Sequence, residues 1–214
     1  MAAIYTTPQN VADFLRFDID GTTSPNTQQI TEYIERNQCV IDNRTGMTYG
    51  QTKTETNEWQ DLHLIYTFGW GTFTTLKRRA VKVDACTGLH FCSGAGDKLE
   101  VWSGATGAFN DETDAFGTYN VIAERGEVYL RGFLFSILRK NRLRITYRYG
   151  EVTVPGDISK ACLLMTCIDI VRSSFRMDEI AFGGSAINKE TSMRNWEDEI
   201  ERVIRNREEV YFIP

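Results

Sequence analysis

The chain has 214 residues, of which 42% are hydrophobic, 25% charged and 12% aromatic, and this ordinary globular composition excludes wholesale disorder, a collagen-like repeat and a coiled coil. At roughly 100–200 residues per domain, the length fits one domain with an insertion or two small ones. A formal net charge of -5 excludes a protein that grips nucleic acid over its whole surface, while a local basic patch is still allowed. The first predicted element is a short helix: Thr7-Pro8 pairs an N-cap with an N1 proline, and Val11, Phe14 and Leu15 follow at helical spacing. DIDGTTSPN reads as a loop. Ser24-Pro25 then opens a second helix, with Ile30, Tyr33, Ile34 and Ile41 near one face and Gly46 as its C′ residue.

Helical periodicity vanishes over residues 47–152. Short β-rich runs replace it, namely LHLIYTF, TLKRRAVKV, KLEVWSG, TYNVIA, EVYLRG and RLRITYRYG. Glu124-Arg125-Gly126 is the turn of a hairpin. In the last run Leu143, Ile145, Tyr147 and Tyr149 share one face, and Arg142, Arg144, Thr146 and Arg148 share the other. These runs predict a small antiparallel sheet, sandwich or barrel. Pro155-Gly156-Asp157 then stops the last strand and caps a deeply packed helix, with Ile158, Ala161, Cys162, Met165, Ile168 and Phe175 in its apolar stripe. After the loop FGGSAINKE, SMRNWEDEIERVIRNREE reads as a helix with Trp196, Ile200, Val203 and Ile204 on one face. The chain closes on VYFIP, four apolar residues and a proline.

The expected fold class is α+β. A small helical bundle, from residues 1–49 and 153–214, carries an antiparallel β-rich insertion over 50–152. Forty residues at one end are too few for a helical domain of their own, so the two helical parts are read as one core. Cys39, Cys86, Cys92, Cys162 and Cys167 make an odd count, which predicts free thiols in a reducing compartment. MAAIYTTPQNVADF lacks the basic and apolar order of a signal peptide. No run approaches the ~18 apolar residues needed to span a bilayer. The expectation is a soluble protein made in a cytoplasm, with no membrane partner.

Several motifs carry chemistry on paper. FDIDGT resembles the D-x-D-G-T motif of haloacid-dehalogenase-type phosphatases, which implies Asp18 as nucleophile and Asp20 as acid/base around magnesium. That family sets the motif at the end of a buried parallel strand, whereas ADFLR is helical in period. The competing reading is an acidic turn between two helices. Cys86, His90 and Cys92 form C-x3-H-x-C, with Asp84, Asp97 or His63 as a fourth zinc ligand. Against it stand cysteines near strand ends and a solvent-facing histidine, so no metal or cofactor is expected. SGAGD and SGATG lack the lysine of a phosphate loop and read as hairpin turns. Arg139, Lys140, Arg142, Arg144 and Arg148 have no acid among them. They suit a phosphate surface, a solvated strand face or ion pairs with a neighbouring subunit. The β region with Trp102 also leaves a carbohydrate-binding or decoration module as a weaker third reading.

Taken in order, the segments VADFLRF, SPNTQQITEYIERNQCVIDNRTG, VIAERGEVYLRG with RLRITYRYG, and VPGDISKACLLMTCIDIV resemble the head–tail connector (adaptor) proteins of tailed viruses. These are helical bundles with a β insertion. The second segment carries the family's "ID, two residues, TG" helix ending, and the last its proline-x-aspartate-isoleucine start. The resemblance implies a non-enzymatic virion protein at the neck. There it forms a ring, commonly of twelve copies, between the portal and the next neck or tail-completion protein. Genomic DNA passes through the channel without sequence-specific binding. It further implies portal contacts, assigned to Trp196, Tyr211, Phe212 and Ile213. Subunit contacts in such a ring are heterologous, and the candidate pairing sets Arg142, Arg144 and Arg148 against Glu197, Asp198, Glu199 and Glu201.

Overall fold

The computed structural model describes residues 5–16, 25–61, 63–65, 71–83, 88–103, 106–115, 117–131, 143–173 and 189–209. Among them are four α-helices and eight strands in two antiparallel sheets, an α+β architecture. The chain divides into two compact units. One is Met1–Thr45 with Thr153–Pro214, and the other is Gly46–Val152.

The first unit is helical. In α1 (Pro8–Leu15) the Thr7 hydroxyl accepts from Asn10 N at 3.2 Å, and Pro8 sits in the first turn, where a missing N–H costs nothing. Arg16 ends the helix at φ 56°. Helix α2 (Thr27–Thr45) starts later than Ser24-Pro25 predicts. Asn26 Oδ1 accepts from Gln29 N, and Gln29 Oε1 accepts from Asn26 N, both at 2.9 Å. That reciprocal pair satisfies two end groups together and fixes the start. Helix α3 (Gly156–Ser173) buries Ile158, Ala161, Cys162, Leu164, Cys167, Ile168, Ile170 and Val171, and it packs against α1, α2 and α4 (Lys189–Glu209). With most of its circumference buried, α3 is the element on which the other three helices pack. Polar groups of α2 that face inward are satisfied there. Asn37 Nδ2 donates to Asp169 Oδ2 at 2.9 Å and to Thr166 Oγ1 at 3.3 Å. Tyr5 N donates to Gln38 Oε1 at 2.9 Å, and the Tyr5 hydroxyl donates to Asp42. Phe175 of the predicted stripe lies outside the described residues.

The second unit holds β1 (Lys53–Gln60), β2 (His63–Ile65), β3 (Gly71–Thr75), β4 (Lys98–Ser103), β5 (Ala108–Asp111), β6 (Tyr119–Ile122), β7 (Glu127–Arg131) and β8 (Leu143–Tyr149). One sheet has the order β1-β8-β4-β5 and the other β2-β3-β7-β6, with every pairing antiparallel. Their inner faces share one core, which includes Leu99, Val101, Tyr119, Val128, Leu130, Leu143, Ile145 and Tyr147. The alternation read in β8 is present: Leu143, Ile145, Tyr147 and Tyr149 are buried, and Arg144, Thr146 and Arg148 face away. The β6–β7 hairpin turns at Gly126, where φ is 65° and a Cβ would stand 2.6 Å from Arg78 O. Only glycine fits that turn.

TLKRRAVKV is not a strand: β3 ends at Thr75, Ala80 has φ 51°, and only Val81 bridges to Tyr149. Conversely, β1 and β5 were not expected. The sequence KTETNEWQ shows no apolar alternation because β1 is an edge strand with a bulge. Thr56 and Asn57 together oppose Thr146, Asn57 takes φ 53°, and its N–H donates to Thr146 Oγ1 at 3.1 Å. The extra residue re-phases the strand. Glu58 thereby turns to the core side opposite Ile145, while Trp59 turns to the outer face opposite Arg144.

Candidate interaction surfaces

On the outer face of the β1-β8-β4-β5 sheet, Arg144 lies between Trp59 of β1 and Glu100 of β4 in the strand register. Its guanidinium grips Glu100 through two hydrogen bonds, Nε to Oε2 at 2.7 Å and Nη2 to Oε1 at 2.6 Å. This fork raises the Arg144 pKa and fixes the plane of the group. Two aromatic rings flank it, and a third packs behind them. The guanidinium lies 4.9 Å from the Phe109 centroid and 5.9 Å from that of Trp59. Phe109 stands edge-on to Trp59 at 5.4 Å and to Trp102 at 5.1 Å. Trp59 remains 48% exposed. The result is an aromatic face whose central charge is already neutralised. It can be dehydrated by a protein partner without stranding an ion.

Arg148 is used differently. It donates Nε to Asp97 Oδ1 at 3.1 Å and Nη2 to Oδ2 at 3.2 Å, while Arg148 N and Cys92 N also donate to that carboxylate at 3.1 Å. Asp97 is 1% exposed, so this buried pair pins the turn before β4 onto β8. Removing Arg148 leaves the buried Asp97 carboxylate without its counter-charge. Arg142 lies outside the described residues.

The acidic residues predicted to meet these arginines also have partners in their own unit. Arg44 of α2 binds Glu201 through Nη1 at 2.5 Å and Nη2 at 2.9 Å, and Glu208 through Nε at 3.2 Å. The Arg44 hydrogen bond holds the Glu201 carboxyl below its ordinary value. Arg172 of α3 binds Glu197, Lys160 binds Glu199 at 2.7 Å, and Arg207 binds Asp157 at 3.0 Å. Asp198 is exposed. These pairs tie α4 to α2 and α3 beside a groove of about 400 Å³, lined by Asn37, Met165, Ile168, Asp169, Ile200 and Glu201 among others. Trp196 is half-buried, its ring 5.5 Å from that of Phe14. Tyr211, Phe212 and Ile213 lie outside the described residues.

Asp18 and Asp20 also lie outside them. The parallel sheet that a D-x-D-G-T phosphatase needs is absent from the described strands. Cys86 and Asp84 are likewise outside. His90 is buried rather than solvent-facing, edge-on to Tyr119 at 5.0 Å. Among the described residues no three His, Cys, Asp or Glu side chains gather as metal ligands. Cys39, Cys92, Cys162 and Cys167 are free thiols. Burial pushes Cys162 and Cys167 up to about 12, which leaves them unreactive. No helix among the described residues is long and apolar enough to cross a membrane. Sequence reasoning missed Trp59 and Phe109. Neither sits in an alternating run, and only the β1 bulge and the β4–β5 register bring them over Arg144.

No family model matches the chain, and no curated protein matches it. Among solved structures it is similar to a chain in the neck of an empty GTA particle computed with C6 symmetry. The identity is 12% and the TM-score 0.49, over 96% of this chain and 90% of that one. It is also similar to a chain in the neck of a native GTA particle computed with C12 symmetry, at 13% identity and TM-score 0.47 over 97% and 93%. A third likeness is to a chain from the virion of a native gene transfer agent (GTA) particle, at 14% identity and TM-score 0.44 over 92% and 90%.

Proposed function

We propose that the protein is a structural, non-enzymatic component of a virion neck. Copies form a ring between the portal and the next neck or tail-completion protein and extend the channel through which the genome passes. The observation that carries this reading is the chain order of the two units. Helices α1 and α2 from one end and α3 and α4 from the other build one helical unit, with the antiparallel residues 46–152 between them. That is the arrangement implied by the connector-like segments of the sequence. The surfaces agree with it: an exposed aromatic face with a self-neutralised arginine suits a protein partner better than a polyanion.

Within this reading the aromatic face around Arg144 turns toward a neighbouring subunit. Trp196 and residues 211–213 meet the portal. The decisive measurement is mass by light scattering, for the protein alone and mixed with its cognate portal ring. Rings, or many copies captured on the portal, are expected. A stable monomer that ignores the portal overturns the proposal. Removing residues 209–214 should abolish capture while the thermal melt stays unchanged, and unchanged capture removes the tail from the portal contact.

A further inference from the structure

We infer that copies of this chain join through their β units, the β5 edge of one copy pairing with the β1 edge of the next, so that the β1-β8-β4-β5 sheets run on as a belt around the ring. The inference rests on the ring proposed above. Among the described residues, β1 and β5 are the two ends of the sheet, and no strand pairs with their outer edges. An edge of unmatched N–H and C=O groups is a template for another chain.

Strand direction selects the occupant. Four strands that are antiparallel throughout leave β1 and β5 running in opposite senses. A second copy set beside the first in the same orientation therefore presents β1 antiparallel to β5. The alternation continues without turning the molecule over. Such a contact joins two different edges, so it is heterologous and repeats from copy to copy, as a closed ring requires. The bulge at Thr56 and Asn57 adds local bend and twist to the joining strand, which a belt of small radius needs.

Charge fixes the register. In the antiparallel seam, the Lys53 end of β1 lies beside the Glu112 end of β5. Both residues belong to the inward-facing phase of their strands: Lys53 is opposite Tyr149, and Glu112 follows Asp111 with its N–H donating to Leu99 O at 2.8 Å. Pairing Lys53 with Glu112 sets Glu55 opposite Asn110. The same register sets Thr56 opposite Phe109, whose ring leans over its own sheet onto Trp59 and Arg144 and so leaves the β5 edge open to the incoming strand.

The test compares ring assembly of the full chain on the portal for Lys53→Glu, Glu112→Lys and the double reversal. Each single reversal is expected to raise the concentration needed for assembly about tenfold, and the double to restore it. Asn110→Cys in combination with Glu55→Cys is expected to give, on oxidation, a ladder of linked copies that neither single variant gives. Thermal melts establish that the variants fold. Rings that form normally with either single reversal, and without the ladder, overturn the seam while leaving the connector reading standing. A wild-type chain that stays monomeric with the portal overturns both. A β5 edge that captures an extended peptide of another neck protein, with no ladder between copies, also overturns it.

Discussion

Glu58 is 3% exposed and still carries a carboxyl group. The Tyr147 hydroxyl donates to its Oε2 at 2.5 Å, Lys77 N donates to Oε1 at 2.9 Å, and Gln60 donates to the same oxygen. Tyr147 in turn accepts from Arg78 N at 3.2 Å. Burial, and then the hydrogen bond to Glu58, push the Tyr147 phenol above its ordinary range, so it stays a donor throughout neutral pH. Tyr147→Phe leaves Glu58 and the Arg78 N–H each one partner short. It should cost about 1–3 kcal/mol in urea unfolding, and a loss below about 0.5 kcal/mol would show that water or a shift of Gln60 replaces the phenol. The sequence places Tyr147 correctly on the inner face of β8 but is silent about Glu58. That carboxylate points inward only because Asn57 inserts a residue into the strand. Arg144 and Arg148 show the same blindness. As a run they look like charges awaiting an outside partner, yet Glu100 and Asp97 meet them from 44 and 51 residues away. Local pattern gives a side chain's face, while its partner depends on strand order.

Elements were legible where their ends are chemically marked. Thr7-Pro8 announces α1, and Gly46, at φ 66°, closes α2. The start of α2 was displaced because Asn26 with Gln29 makes a reciprocal cap that Ser24-Pro25 does not. Strands β1 and β5 were invisible because edge strands of polar sequence carry no apolar period. Helix α4 shows what ties a highly charged element down. Its buried apolar residues are Ile200 and Ile204, Trp196 packs on Phe14 of α1, and ion pairs to α2 and α3 hold the rest. A pH dependence follows from Glu201. Arg44 lowers its pKa from the ordinary 4.5. A depressed carboxyl contributes stability that is present above the unfolded value and lost as pH falls through the folded one. With half of the Glu201 side chain exposed (50%), solvent screening keeps the contribution small. Arg44→Ala should therefore lower the melting temperature modestly at pH 7. The gap to wild type should narrow by pH 3, and should shrink in 1 M salt, where the Debye length is about 3 Å. A gap equal at both pH values would mean that Arg44 acts through its packed methylenes rather than its charge.

At the scale of the whole molecule, the α+β class was legible because the period changes from 3.6 to 2 after Gly46 and back after Pro155. What the sequence does not show is how the β segment closes on itself. Glu151 N donates to Thr48 O at 2.7 Å and Gly150 N to Ala80 O at 3.0 Å, so the entering and leaving chains are joined at the root of the unit. Gly150 makes this possible. It takes φ 108°, and a Cβ there would stand 2.5 Å from Gln51 O, so Gly150→Ala must push the two chains apart. The buried cluster from Leu76 to Tyr149 lies wholly within residues 46–152. About 100 residues with a core of their own are enough for independent folding. Residues 46–152 expressed alone should thus give one cooperative urea transition with native β-type circular dichroism. The helical remainder should fold when Thr45 and Thr153 are joined by a short Gly/Ser linker, since the inserted unit begins and ends at one place. In the intact chain, Gly150→Ala should lower the β transition and leave the helical one in place. A single transition lost as a whole in that variant would mean that the two units unfold as one. The β unit could not then be gained, lost or enlarged without rebuilding the helices.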